Sequence, residues 1–254
     1  MNGGLQIEAL SLRQGDRTLC TALDLAIAPG ECWAILGPNG SGKSTLLHTL
    51  AGLRPVEQGQ VRLNGEALDT LSRRAIAQTL GLLLQDSHEP FPATVRETVL
   101  SGRHPFLSRW QTEGPLDQQL AEQALQRMEL EELAERMIQT LSGGERRRMA
   151  LATLLCQDPA IMLLDEPLNH LDLRHQQQLL AQLEHWQQAN KTVAMVLHEP
   201  NLALRYCDKV LLLFGDGRWL AGESQALLDA PTLSELYRCT IHAQHGGGEQ
   251  WFYF

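Results

Sequence analysis

Short apolar runs alternate along this chain with longer segments whose apolar residues recur every three or four positions. Leu5–Leu10 and Leu23–Ile27 alternate apolar and polar residues, as strands of a half-buried sheet do. Glu31–Leu36 (E-C-W-A-I-L), Ala160–Leu164 and Thr192–Leu197 are near-continuous apolar runs, the pattern of strands buried on both faces. Gln60–Leu63, Leu80–Leu84, Lys209–Leu213 and Arg218–Ala221 predict further strands. Helices are expected over about Lys43–Ala51, Val95–Leu100, Asp117–Met128, Leu173–Gln188 and Thr232–Tyr237. Strands interleaved with helices argue for an α/β sheet. Between Pro90 and Pro115 the pattern changes, and Asp86–Leu141 reads as a mostly helical insert.

Composition narrows this picture. With 254 residues and 43% hydrophobic content, the chain can bury a sizeable core. No apolar stretch approaches the roughly 20 residues that a membrane-spanning helix needs. The N-terminus lacks a basic-then-apolar signal region. Any membrane role is therefore expected to come through a partner protein. The net charge of −9 argues against a nucleic-acid partner. Five scattered cysteines, with no C-x-x-C pair, predict reduced thiols rather than a disulfide frame or zinc site.

Candidate chemistry begins at Gly37–Thr45, which reads G-P-N-G-S-G-K-S-T and matches G-x-x-x-x-G-K-[ST] between a predicted strand and a predicted helix. Glycines let successive backbone N–H groups turn inward around phosphate oxygens, and the helix N-terminus adds its positive dipole end. Gly37, Pro38, Asn39, Gly40, Ser41, Gly42, Lys43, Ser44 and Thr45 are the candidate nucleotide-binding residues. Lys43 is placed to reach the β- and γ-phosphates, and Ser44 to ligate Mg²⁺. Ile161–Glu166 (I-M-L-L-D-E) puts two carboxylates at the end of an apolar strand. Open α/β sheets bind ligands at those ends. Asp165 is the candidate Mg²⁺ ligand, and Glu166 the candidate general base. Alone, two acids before Pro167 would equally suit a solvated turn.

Leu141–Glu145 reads L-S-G-G-E, between the phosphate loop and the D-E pair. On its own this is a capped helix start, with Ser as N-cap and Glu in the first turn. In that order the motifs resemble the ATP-binding cassette family over nearly the whole chain. The resemblance implies a P-loop NTPase core, a mixed sheet with flanking helices, joined to an antiparallel β subdomain and a helical subdomain carrying L-S-G-G-E. A single domain over 1–254 follows, with 1–85 and 160–254 as core and β subdomain and 86–159 mainly helical. It implies that Gln85 closes a strand as the family's glutamine loop, a catalytic residue and metal ligand. Asn169-His170-Leu171-Asp172 stands where the family has its D-loop, and His198 where it has its switch histidine. Lys43, Gln85, Glu166 and His198 become the catalytic set, with Ser44, Gln85 and Asp165 around Mg²⁺. Ser142, Gly143, Gly144 and Asp172 are expected to face ATP across a head-to-tail homodimer.

One position departs from the family pattern. Gln14 stands where members usually have an aromatic residue stacking on adenine, so Arg13 or Arg17 is offered as a cation–π cover for the base. The stretch Pro90–Trp110 and Asp165–Gln176 resemble subunits of importers for cobalamin, ferric siderophores and haem. The G-R-H-P-F-L-S-R-W portion is most similar to cobalamin-type members. That branch implies an ATPase peripheral on the cytoplasmic face of the inner membrane. Its partners would be polytopic permease subunits and a substrate-binding protein, with Pro90–Trp110 beside the permease. The alternatives are a soluble cassette ATPase of the iron–sulfur assembly type and an ATP-sensing regulator without turnover.

Overall fold

The computed structural model describes residues 4–85, 92–108, 110–246 and 249–254. The N-terminal strands β1 (Leu5–Gln14) and β2 (Arg17–Ile27) form a hairpin longer than the alternating pattern indicated. The reason is bulging. Their pairing shifts register between Ile7 and Leu10 and again between Leu10 and Leu12, and Ala9 and Ala22 adopt φ of 47° and 46°. Each extra residue flips the facing of those that follow, so the period of two breaks up although the strand continues.

β3 (Cys32–Leu36) leads into the glycine-rich loop and α1 (Lys43–Leu50). β4 (Gln58–Leu63) and β5 (Glu66–Ala67) complete a four-stranded antiparallel sheet in the order β2-β1-β4-β5. α2 (Arg73–Thr79), with Ser72 as N-cap, precedes β6 (Leu80–Leu83). No apolar period announced α2, since it buries only Ile76. α3 (Val95–Leu100), α4 (Pro115–Arg127) and α5 (Gly143–Gln157) follow. The chain then runs through β7 (Ile161–Leu164), α6 (Leu173–Gln188), β8 (Thr192–Val196), α7 (Pro200–Tyr206), β9 (Lys209–Leu213) and β10 (Trp219–Glu223). α8 (Ser224–Leu227), α9 (Ala230–Tyr237) and a hairpin of β11 (His242–Gly246) with β12 (Glu249–Tyr253) close it.

The second sheet has the order β10-β9-β3-β8-β7-β6, parallel throughout except for the β10 edge. β3 and β7 flank β8, so the loops leaving their C-terminal ends meet at one edge of the sheet. Both faces are covered. Along β3, Trp33 and Ile35 join a core with α1 and the antiparallel sheet. Cys32, Ala34 and Leu36 join a core with α4, α5 and α6. This second core is continuous from Met162 and Leu164 of the sheet to Val99, Leu125 and Leu151 of the helices. The helices inserted between β6 and β7 are therefore fastened to the sheet by shared apolar packing.

The C-terminal W-F-Y-F run had no predicted element. It forms β12, held where the Asn201 amide donates to the Phe252 carbonyl at 3.0 Å and accepts from its N–H at 2.8 Å. All five cysteines are free thiols, and Cys239 alone among them is exposed.

Leu125 is fully buried where these helices meet. Leu125→Ala is expected to lower stability by about 2–5 kcal/mol through lost transfer energy and a residual cavity. Urea unfolding would show a lower midpoint, and a change under about 1 kcal/mol would contradict the shared core.

Candidate active site

The glycine-rich loop is built by backbone conformations that only glycine adopts readily. Gly40 and Gly42 have φ of 73° and 103°, and Gly42 is the N-cap residue of α1. A Cβ at Gly37 would lie 2.3 Å from the Leu213 carbonyl oxygen and 2.7 Å from Ser41 Oγ. The loop is thus pinned between the end of β9 and its own interior. Inside it, the Lys43 ammonium donates to the carbonyls of Gly37 at 2.8 Å and Pro38 at 3.1 Å. Burial pushes its pKa below the usual lysine value, opposed by the negative charges of Glu166 and Asp165. A trapped cation over inward-turned N–H groups is a site for an anion.

Asp165 is buried at the end of β7, with neither carboxylate oxygen hydrogen-bonded. Burial raises its pKa, and the neighbouring Glu166 charge adds to this. The Ser44 hydroxyl beside it opposes the shift without reaching hydrogen-bond geometry. A buried carboxylate without a partner is costly unless a cation neutralises it. Hard oxygen donors of this kind fit Mg²⁺, which keeps waters and substrate phosphates as its other ligands. The described residues gather no cluster of three or more His, Cys, Asp or Glu, so an all-protein metal cage is not built here.

Glu166 departs from ordinary strand geometry, with φ of 49°. For a non-glycine residue this left-handed conformation costs on the order of 1–3 kcal/mol and persists only where its surroundings hold it. Its carboxylate meets two amide donors and the His198 ring. His198 Nε2 lies 2.7 Å from Oε1, Gln85 Nε2 donates to Oε2 at 3.1 Å, and the Asn169 amide also donates to Oε2. Gln85, Glu166 and His198 come from the ends of three adjacent strands, β6, β7 and β8. With Lys43 and Ser44 they line a cleft of about 450 Å³.

The remaining predicted residues fall in three places. Asn39, Gly40, Gly42 and Thr45 also line the cleft, while Gly37, Pro38 and Ser41 build the loop beneath it. Gln14 reaches the cleft, but the Arg17 guanidinium is committed to the Gly215 carbonyl, at 3.0 Å from Nη2. Arg13, like Arg17, is not among the residues lining the cleft. Ser142, Gly143 and Gly144 lie outside this chain's own cleft. Ser142 accepts from the Glu145 N–H and donates its own N–H to Glu145 Oε2, a complete capping box that leaves the turn at the surface. Asp172 is outside the cleft as well. Its carboxylate caps α6 through the His175 N–H at 2.9 Å and meets His175 Nδ1 at 2.7 Å.

The sequence places Asn169 only in the D-loop, and the structure adds that its amide donates to Glu166. Arg147 carried no signal, because three successive arginines in a helix suggest a solvated face, yet it is buried.

Comparison with known proteins decides the family. The sequence pattern described as ABC transporter matches residues 20–169. The chain is 38% identical over 244 residues to the ferric enterobactin transport ATP-binding protein FepC of Escherichia coli, covering 93% of this chain and 89% of that one. The chain belongs to the ABC transporter family. It is also 37% identical to the hemin import ATP-binding protein HmuV of Pseudomonas aeruginosa, over 94% of each chain. A solved dimeric ATP-binding cassette in a post-hydrolysis state with ADP and Pi superposes with a TM-score of 0.75 at 26% identity, covering 87% of this chain and 98% of that one. This cassette is accordingly an ATPase, a nucleotide-binding subunit that powers transport.

Lys43→Met removes the one cation inside the loop and is expected to weaken ATP binding by at least about tenfold, or 1.4 kcal/mol. Isothermal titration calorimetry reads this directly, and unchanged affinity would displace the triphosphate from the loop.

Proposed function

We propose that this cassette drives import of a ferric siderophore or haem, working as a homodimer on permease subunits at the cytoplasmic face of a membrane. The observation that carries the reading is the Glu166 carboxylate, gathered with Gln85 and His198 beside the Lys43 loop. In the proposed reaction the loop N–H groups and Lys43 grip the phosphates of ATP. Ser44, Gln85 and Asp165 would hold Mg²⁺, which would neutralise charge on the phosphate oxygens. Glu166 orients a water and takes its proton as the water oxygen bonds to the γ-phosphorus and the bond to the ADP oxygen breaks. His198, with Nε2 2.7 Å from Glu166 Oε1, holds the carboxylate in place and reaches toward the developing charge.

A second copy completes the site. The Ser142-Gly143-Gly144 turn lies outside its own cleft, and a Cβ at Gly143 would meet nothing within 4 Å, so the helix N-terminus is open to an anion on another subunit. Head-to-tail pairing brings that turn to the partner's ATP, with Asp172 beside it on a turn already ordered by its cap.

The membrane partner belongs on the far side of α5. A largely apolar groove of about 390 Å³ is lined there by Thr153 and Gln157 of α5, Ile76 of α2, and Ser101, Gly102 and Pro105. The last three lie in the stretch Pro90–Trp110 expected beside the permease; its residues 90, 91 and 109, with 86–89 just before it, lie outside the described residues. We assign the groove to a helix of the permease. Among the described residues no helix is long and apolar enough to cross a membrane.

The relatives named above are ATP-binding proteins of ferric enterobactin transport and hemin import, so the cargo proposed here is of that class. The cobalamin preference gains no specific support, and the soluble iron–sulfur assembly alternative is not favoured. Glu166→Gln keeps the shape and removes the base. ATP turnover is expected to fall by about 10²–10⁴-fold, while ATP binding persists and a dimer accumulates. Phosphate release and gel-filtration mass with ATP measure this, and near-normal turnover would remove Glu166 from the chemistry. Stimulation of turnover by a co-purifying polytopic membrane protein separates a transporter subunit from a soluble ATPase.

A further inference from the structure

Three successive arginines open the second turn of α5, and each serves main-chain carbonyls in a different place. Arg146 donates to Leu141, at the start of its own helix, at 2.8 Å from Nη2. Arg148 donates to Met128 and Glu129, at the end of α4, both at 2.8 Å. Arg147 points inward to the strand ends that carry the catalytic side chains. Its Nη1 lies 2.5 Å from the Leu84 oxygen and 3.4 Å from that of Gln85, and its Nη2 lies 2.6 Å from the oxygens of both Asp165 and Glu166. Nε reaches the Pro167 oxygen at 3.4 Å. The residue is only 6% exposed.

A guanidinium carries five N–H donors in a rigid plane, so one side chain can fix several carbonyls relative to one another. Here those carbonyls flank Gln85 on one strand and belong to Asp165 and Glu166 on the next. Glu166 is the residue whose backbone is left-handed, with φ of 49°, and such a conformation needs external support. The side chain it aims meets Gln85, whose own carbonyl is in the same set. Arg147 also lies five residues beyond Ser142, about 7.5 Å along the helix from the exposed serine–glycine turn.

We propose that Arg147 is a positioning residue for ATP hydrolysis: it holds the main chain at Gln85, Asp165 and Glu166 and so sets the aim of the Glu166 carboxylate. Because it stands on the helix that presents the serine–glycine turn, it ties the placement of the base in one subunit to the placement of the turn offered to the other. The inference rests on the reading of Glu166 as general base. Arg147 touches neither nucleotide nor the reacting water. Its removal should slow the chemical step and leave nucleotide capture by the Lys43 loop intact.

The test compares Arg147→Met, Arg147→Gln and Arg147→Lys in the intact protein. Steady-state turnover, ATP affinity by calorimetry and thermal unfolding are measured for each, with Glu166→Gln as control. Misplacing a catalytic group by about 1 Å costs on the order of 10- to 100-fold in rate. The expected result is a fall of that size in kcat for Arg147→Met, with KM and ATP affinity within about threefold of the parent and substantial recovery in Arg147→Lys, which restores charged donors. Unchanged kcat in a folded Met variant overturns the proposal. So does a joint loss of kcat and ATP binding that Lys fails to relieve, because that pattern belongs to general structural damage. Should Arg147→Met not fold, Arg147→Gln, which keeps an amide donor, carries the same comparison. If neither that variant nor Arg147→Lys folds, the residue is a fold determinant and the proposal falls. Normal turnover in Glu166→Gln would instead sink the underlying reading of the base, a separate result.

Discussion

One buried ammonium facing two carboxylates organises this molecule. Lys43 sits in the glycine-rich loop at the end of β3, and Asp165 and Glu166 stand at the end of β7, with β8 between them. Burial destabilises the charged forms of Lys43 and Asp165, and each shift is in the direction burial dictates. Such a cluster stands in the native state because the parallel sheet leaves no other place for its strand ends to go. On the proposed reading, a triphosphate would supply the opposite charge to Lys43, and a divalent cation would supply it to Asp165.

The two carboxylates are neighbours in sequence and have opposite surroundings. Asp165 directly follows β7 and its carboxylate has no hydrogen-bond partner, which suits the proposed metal ligand. Glu166 has a left-handed backbone, and its carboxylate meets the Gln85 and Asn169 amides and the His198 ring, which suits the proposed base. On the proposed reading, neighbouring residues divide labour between charge neutralisation and proton transfer, and the hydrogen bonds around Glu166 offset the cost of its strained backbone.

α5 is the mechanical link. Its capped N-terminus presents the serine–glycine turn, its second turn reaches the catalytic strand ends, and Thr153 and Gln157 near its C-terminus line the apolar groove. Gln157 also donates to the carbonyls of Ala77 and Leu80, tying this end to α2 and β6. A rigid helix with all three functions moves them together. On the proposed reading, displacement at the groove would reach the γ-phosphate side through this helix.

The linear chain determined the local chemistry: a glycine-rich loop ending in a lysine, acids closing an apolar strand, and a capped serine–glycine helix start. Each depends on neighbours in sequence, through φ freedom, strand periodicity or capping, and each is placed in the structure as read. The lengths of β1 and β2 were not legible, because bulges at Ala9 and Ala22 break the alternation on which the reading relies. Nor was α2, whose single buried residue leaves no period to see. The role of Arg147 is long-range by nature, since its acceptors lie up to 63 residues away and a basic run looks solvated until packing turns one member inward. Only the tertiary structure could decide which arginine is buried, which way Glu166 faces, and that Asp172 is spent on capping its own helix. These are choices made by strand order and burial, which no stretch of sequence contains.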